Sequence, residues 1–207
     1  MPSAAFPSTV SVPVELPGVT RLFVVVSGAS IITDATGEAV GLMHSGVAPG
    51  QGLATGLFSH PGPPPLDFPP CMVRTAVARD AGFNPEFRRS QDSDFLIRVM
   101  LGKRYAVSSV PVYAYSQAEA AGLDKTLEGY RFRLRSYREY RESYPLHSRV
   151  EMAKTYARMG VYTAAGWLGA EHRLIEKRWQ RITPEARAAY ETARDTVTRA
   201  ANMKEAS

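Results

Sequence analysis

The stretch Cys71-Met-Val-Arg-Thr-Ala-Val-Ala-Arg-Asp-Ala-Gly-Phe-Asn-Pro-Glu-Phe-Arg-Arg-Ser-Gln-Asp-Ser-Asp-Phe-Leu-Ile-Arg-Val-Met-Leu101 decides how the rest of the chain is read. A short apolar run passes into a brief helix that ends near Gly82, where a residue tolerant of positive φ is wanted, and Pro85 prevents its resumption. Ser90 or Asp92 then offers a cap for a second helix. A short oxygen-bearing side chain there accepts from unpaired first-turn amides, and acids oppose the positive end of the helix dipole. Phe95, Leu96, Val99 and Met100 follow at near-helical spacing, which puts one face in the core, with Gly102 as the expected stop.

The run Gly82, Phe83, Asn84, a six-residue loop, then Gln91, Asp92, Ser93, Asp94, Phe95, Leu96, Ile97 and Arg98 resembles the acceptor-side segment of family 2 glycosyltransferases, which have the GT-A fold. In that family a Gly-Phe-Asp turn leads to a Glu-Asp pair, followed by Asp-Leu and an Arg on the next helix. The resemblance implies that Asp92 is the general base of an inverting transfer, taking a proton from an acceptor hydroxyl as it attacks the anomeric carbon of a sugar nucleotide. It implies a structural role for Asp94 and Arg98. Gln91 stands where the family has Glu, which removes a charge.

Upstream, the apolar run Arg21 to Val26 reads as a buried strand that Ser27 to Thr33 extends or pairs with. Asp34 to Gly37 forms a turn before Ala39 to Met43, so a hairpin with Gly37 in a left-handed conformation is expected. Between Gly46 and Pro70 the many Gly and Pro residues, among them Pro61-Gly62-Pro63-Pro64-Pro65, predict a long loop without regular structure. Residues 1 to 20 hold Pro2, Pro7, Pro13 and Pro17 and read as a disordered leader or as an extended arm ordered against a partner.

Downstream, Tyr105 to Val112 reads as a strand with Pro111 near an edge. Tyr115 is followed by Ser116 and Gln117, where the family has Tyr-Arg and a nearby His. Residues 124 to 143 predict a helix carrying Arg131, Arg133, Arg135, Arg138 and Arg141 among aromatics, of which the odd-numbered arginines do not share one face, which argues against nucleic acid as a partner. Pro145 breaks it, and further helices are expected over 149–163, 167–180 and 184–203, the last capped by Thr183 with Pro184 at its first position. Trp167, Leu168, Leu174, Ile175, Trp179 and Ile182 are the expected packing residues of this region.

With 207 residues and 44% hydrophobic content the chain can bury a sizeable core, and its +5 charge permits anionic partners without specifying one. Cys71 is its only cysteine, so no internal disulfide forms, and the four histidines are scattered; no metal or cofactor is expected. No apolar run is long enough for a membrane span and no signal peptide is evident, which makes the cytoplasm the expected compartment. The reading divides the chain into an arm (1–20), a truncated transferase-like domain (21–123) and a helical region (124–207). The fold class is α+β, a truncated GT-A-like mixed sheet with helices followed by a C-terminal helical bundle. In the family an αβ half with an Asp-x-Asp pair binds the donor, and upstream of the Leu22 strand neither a strand-helix-strand unit nor such an acid pair matches it. The expectation is therefore a non-catalytic, glycosyltransferase-like subunit of a protein complex, in peripheral contact with the cytoplasmic face of a membrane. The alternative is the acceptor half of a split inverting glycosyltransferase, with Asp92 as base and a sugar nucleotide bound by another chain.

Overall fold

Valine and isoleucine crowd the segment after Phe23, and such β-branched side chains suit a strand covered on both faces. That strand, β1 (Val25–Thr33), is buried at all nine positions in the computed structural model. The structure describes residues 22–34, 36–43, 52–116, 122–170, 174 and 181–205. The expected arm at residues 1 to 20 lies outside them.

Around β1 the sheet is completed by β2 (Ala39–Met43), β3 (Leu53–Phe58), β4 (Cys71–Val73) and β5 (Lys103–Ser116). The order is β2-β1-β5-β3, with β4 antiparallel to the start of β1, while β2 pairs with its end. The β1–β5 pairing is parallel and the β3–β5 pairing antiparallel, so the sheet is mixed. With the helices α1 (Thr75–Ala81), α2 (Gln91–Met100), α3 (Leu123–Glu139), α4 (Pro145–Trp167) and α5 (Pro184–Glu205), the class is α+β.

The β1–β2 turn is held by Asp34, whose Oδ1 accepts from Thr36 N at 2.9 Å, Thr36 Oγ1 at 2.7 Å and Glu38 N at 3.0 Å. Gly37 has φ +80°, the left-handed conformation expected of it. These bonds, led by the Thr36 hydroxyl, lower the Asp34 carboxyl below its ordinary value.

Two expectations fail here. The Gly- and Pro-rich region 46–70 does contain a strand, β3, because Leu53 to Phe58 is free of proline and pairs along β5 from Ser108 to Lys103. Pro145 does not merely end a helix. It begins α4 from the first-turn position, where the missing N–H costs nothing.

Pro111 stands on β5 beyond the reach of β3, whose pairing stops at Ser108, so its missing amide breaks no bond on that side. The β1–β5 register jumps from Ser27↔Val107 to Ala29↔Pro111. Gly28 lies inside this bulge, where a Cβ would come within 2.8 Å of the Val110 carbonyl oxygen and collide with Val112.

One core joins Val24 and Val25 to Phe95, Leu96, Ile97, Val99 and Met100 of α2, and to Tyr137 of α3. A second joins Ala29, Ile31, Ala39 and Leu42 to Ile182, Ala186 and Tyr190 around α5. The expected cap on α5 forms, with Thr183 Oγ1 accepting from Ala186 N at 3.2 Å. Helices α3 and α4 run antiparallel: Tyr130 meets Tyr162 at 5.7 Å between ring centroids, and Arg138 donates to Tyr156 Oη at 3.0 Å nearer the connecting turn.

Candidate functional site

The loop from Gly82 to Ser90 sets the position of Asp92. Gly82 ends α1 at φ +54°, as expected. Phe83 then stacks on Phe95 with centroids 4.6 Å apart, and Asn84 Oδ1 accepts from Glu86 N at 3.0 Å in an Asx turn. Phe87 is buried beside Phe132, so the loop is pinned at both ends.

Ser90 occupies the N-cap position of α2 but does not cap it. Its backbone is left-handed (φ +54°, ψ +22°), and its hydroxyl donates instead to the Gly129 carbonyl at 3.0 Å. The tertiary bond displaces the local one and clamps α3 against the first turn of α2. Asp92 is also no cap by side-chain hydrogen bond.

The two acids of α2 part company. Asp94 is 1% exposed, and Arg98 reaches its Oδ2 with Nε at 3.0 Å and Nη2 at 2.9 Å. Ser136 Oγ donates to Oδ1 at 2.9 Å, and Arg98 Nη1 also donates to the Ala81 carbonyl. One carboxylate thereby ties α1, α2 and α3 together.

Asp92 instead is half-buried and opens onto a cleft of about 430 Å³ between α2 and α3. The lining includes Arg89, Ser93, Lys125, Thr126, Tyr130 and Arg133. Arg89 pairs with Glu128 at 3.3 Å, while Arg133 Nε and Thr126 Oγ1 are buried atoms without a hydrogen-bond partner among the described residues. A carboxylate facing cations and hydroxyls is suited to holding a polyhydroxylated or anionic molecule beside a proton acceptor. Gln91 is exposed.

Arg89 and Lys125 do not stand out in the sequence. Their signal is the α3 spacing Thr126, Tyr130, Arg133, which is one helical face, combined with the Ser90–Gly129 clamp that no spacing reveals. Of the other arginines, Arg131 is exposed, Arg135 pairs with Glu86, and Arg138 goes to Tyr156; at spacings of four and three these share one exposed face of α3, while Arg133 turns into the cleft. Among the described residues no group of three or more His, Cys, Asp or Glu is placed to hold a metal ion. His60 and His147 do stack, with centroids 4.1 Å apart.

A second surface lies on α4, whose burial is inverted. Its covered side carries Ser148, Glu151, Thr155 and Tyr162, facing α3 and the loop around Gly62. The outer side carries Leu146, Val150, Ala153, Ala157, Val161, Ala164 and Leu168, all exposed. Trp167 and Leu168 are 86% and 81% exposed, which corrects the expectation that they pack within the molecule. Ile182 does pack, against the hairpin, and Ile175 and Trp179 lie outside the described residues.

Comparisons with family models, curated proteins and solved structures find no match to this chain. No helix among the described residues is long and apolar enough to cross a membrane.

Proposed function

We propose that this chain is a glycosyltransferase-like protein that serves as a binding or structural subunit of a larger protein assembly, on the cytoplasmic side of a membrane. The observation that carries the reading is the inverted burial of α4. Water is a poor solvent for a continuous row of aliphatic side chains, and a patch of this kind on a helix that already buries its polar side is most simply covered by another protein. The edge strand β3 adds exposed Leu53 and Leu57.

The test is isolation of the chain from its native cells under mild conditions, in parallel with a Val161→Asp, Leu168→Asp variant. Both positions are exposed, so the variant keeps the fold of the parent. The parent is expected to emerge in a stable assembly and the variant alone. An assembly indifferent to the two aspartates would sink the reading.

A second reading is supported by the position of Asp92 in the cleft among Arg89, Lys125 and Arg133. Here the chain is the acceptor half of a split inverting glycosyltransferase, Asp92 is the general base, and a separate chain binds the sugar nucleotide. If such a complex transfers sugar, Asp92→Asn is expected to lower kcat by roughly two orders of magnitude or more. An unchanged rate would remove Asp92 from the chemistry.

A further inference from the structure

The exposed stripe of α4 is symmetric about its own centre. Its members Leu146, Val150, Ala153, Ala157, Val161, Ala164 and Leu168 are separated by four, three, four, four, three and four residues. Read backwards, the spacing is the same. At 100° per residue all seven fall within about 40° of the direction of Ala157, so they form one row.

We propose that this row is the contact between two copies of the chain, paired antiparallel through α4 across a two-fold axis at Ala157. The proposal rests on the subunit reading above and names the first partner of that surface. A two-fold axis requires that each residue meet its mirror position, as in any isologous interface. Leu146 then meets Leu168 of the second copy, Val150 meets Ala164, and Val161 meets Ala153. Each valine falls beside an alanine, and Ala157 meets itself, so the helices approach closely at the centre and are wedged by leucines at the ends. The matching of each valine to an alanine is what a self-complementary row needs, since helical periodicity sets the spacing of such a row but not the sizes that meet across the axis.

The flanks are consistent with this partner. Rotation about the axis keeps each side of one helix on the same side of the other. Arg149 of one copy therefore lies about two residues, roughly 3 Å, along the axis from Trp167 of the second, and its guanidinium can cover the exposed indole face. The only acid between Pro145 and Leu168 is Glu151, which is buried and bound to Lys154 Nζ at 2.7 Å, so no carboxylate is trapped in the contact. The helix is 23 residues long. A row of about 34 Å, with Trp167 and the leucines at its ends, covers on the order of 800 Å² per copy, the size used by stable dimers.

The register can be read with cysteines in the full chain. Ala157→Cys puts two thiols at the axis, where their Cβ atoms are close enough to bridge. Val150→Cys alone puts them about 21 Å apart by helical rise, too far to bridge. Val150→Cys with Ala164→Cys brings unlike thiols together again. The parent, whose only thiol is the partly covered Cys71, is the control. The expected result is a dimer by sedimentation, a disulfide-linked dimer from Ala157→Cys and from the double variant, and none from Val150→Cys or the parent. A chain that stays monomeric at micromolar concentration, or a dimer in which Ala157→Cys does not link, overturns the proposal. Either failure leaves the subunit reading to its own test, because Val161→Asp, Leu168→Asp still reports whether α4 holds the native assembly.

Discussion

Asp92 and Asp94 are two residues apart, of the same type, and differ in everything that matters to function. On a helix, two positions is about 200° of rotation, which sends one carboxylate into the core and leaves the other at the cleft. Replacing Arg98 with Met strands the buried Asp94 charge and is expected to cost about 3 kcal/mol or more by urea titration. Adding Asp94→Asn to that variant recovers part of the loss, because the stranded charge is gone. Asp92→Asn alone is expected to change stability by no more than about 0.5 kcal/mol. A large loss from Asp92→Asn would mean that it too is a structural acid. The division between these acids was not legible in the periodicity, since it is Asp92 that falls in line with Phe95, Leu96, Val99 and Met100, while Asp94 is buried against Arg98 and Ser136 of α3. Nor was the identity of the clamp legible. Ser90 reads as a cap, and its hydroxyl is drawn away by a carbonyl 39 residues further on.

Among the elements, α5 shows how far local signals go. Thr183 and Pro184 announce its start, and Thr183→Ala is expected to cost about 1 kcal/mol, measured as a shift in the urea midpoint. What α5 covers is a tertiary matter: Tyr190 Oη donates to the Gly37 carbonyl at 2.8 Å, across 153 residues, and Ala186 packs on the β1–β2 hairpin. Helix α4 teaches the opposite lesson. Its apolar residues are visible in the sequence, but the usual inference from an apolar helical face is burial, and here α3 and the proline-rich loop cover the polar side instead. Strand β3 was hidden for a third reason. Its glycines and flanking prolines read as loop, and only the free edge of β5 gives Leu53–Phe58 something to pair with.

At the scale of the whole molecule, three weak acids oppose alkaline conditions. Burial pushes Cys71, Tyr137 and Tyr140 up to about 12, from ordinary values of 9.0 for the thiol and 10.0 for the phenols. A group whose pKa is raised by folding contributes its full stability below the unfolded value and loses it as pH rises toward the folded one. Stability is therefore expected to hold up to about pH 9 and fall between about 9 and 12, with the midpoint of urea unfolding as the measure. A midpoint that stays constant through that range would show these groups to be equally solvated in both states. The sequence by itself determined the α+β class, the β1–β2 turn at Asp34 and Gly37, the α1–loop–α2 order around Gly82 and Asp92, and the capped start of α5. These are set by periodicity, backbone preference and short-range hydrogen bonds, all of which act within a few residues. Tertiary structure alone decided that Ser90 serves α3, that Arg89, Lys125 and Arg133 share a cleft with Asp92, and that α4 turns its aliphatic row outward. Each of these depends on which distant surface wins a side chain, and that competition is between segments that local pattern does not compare.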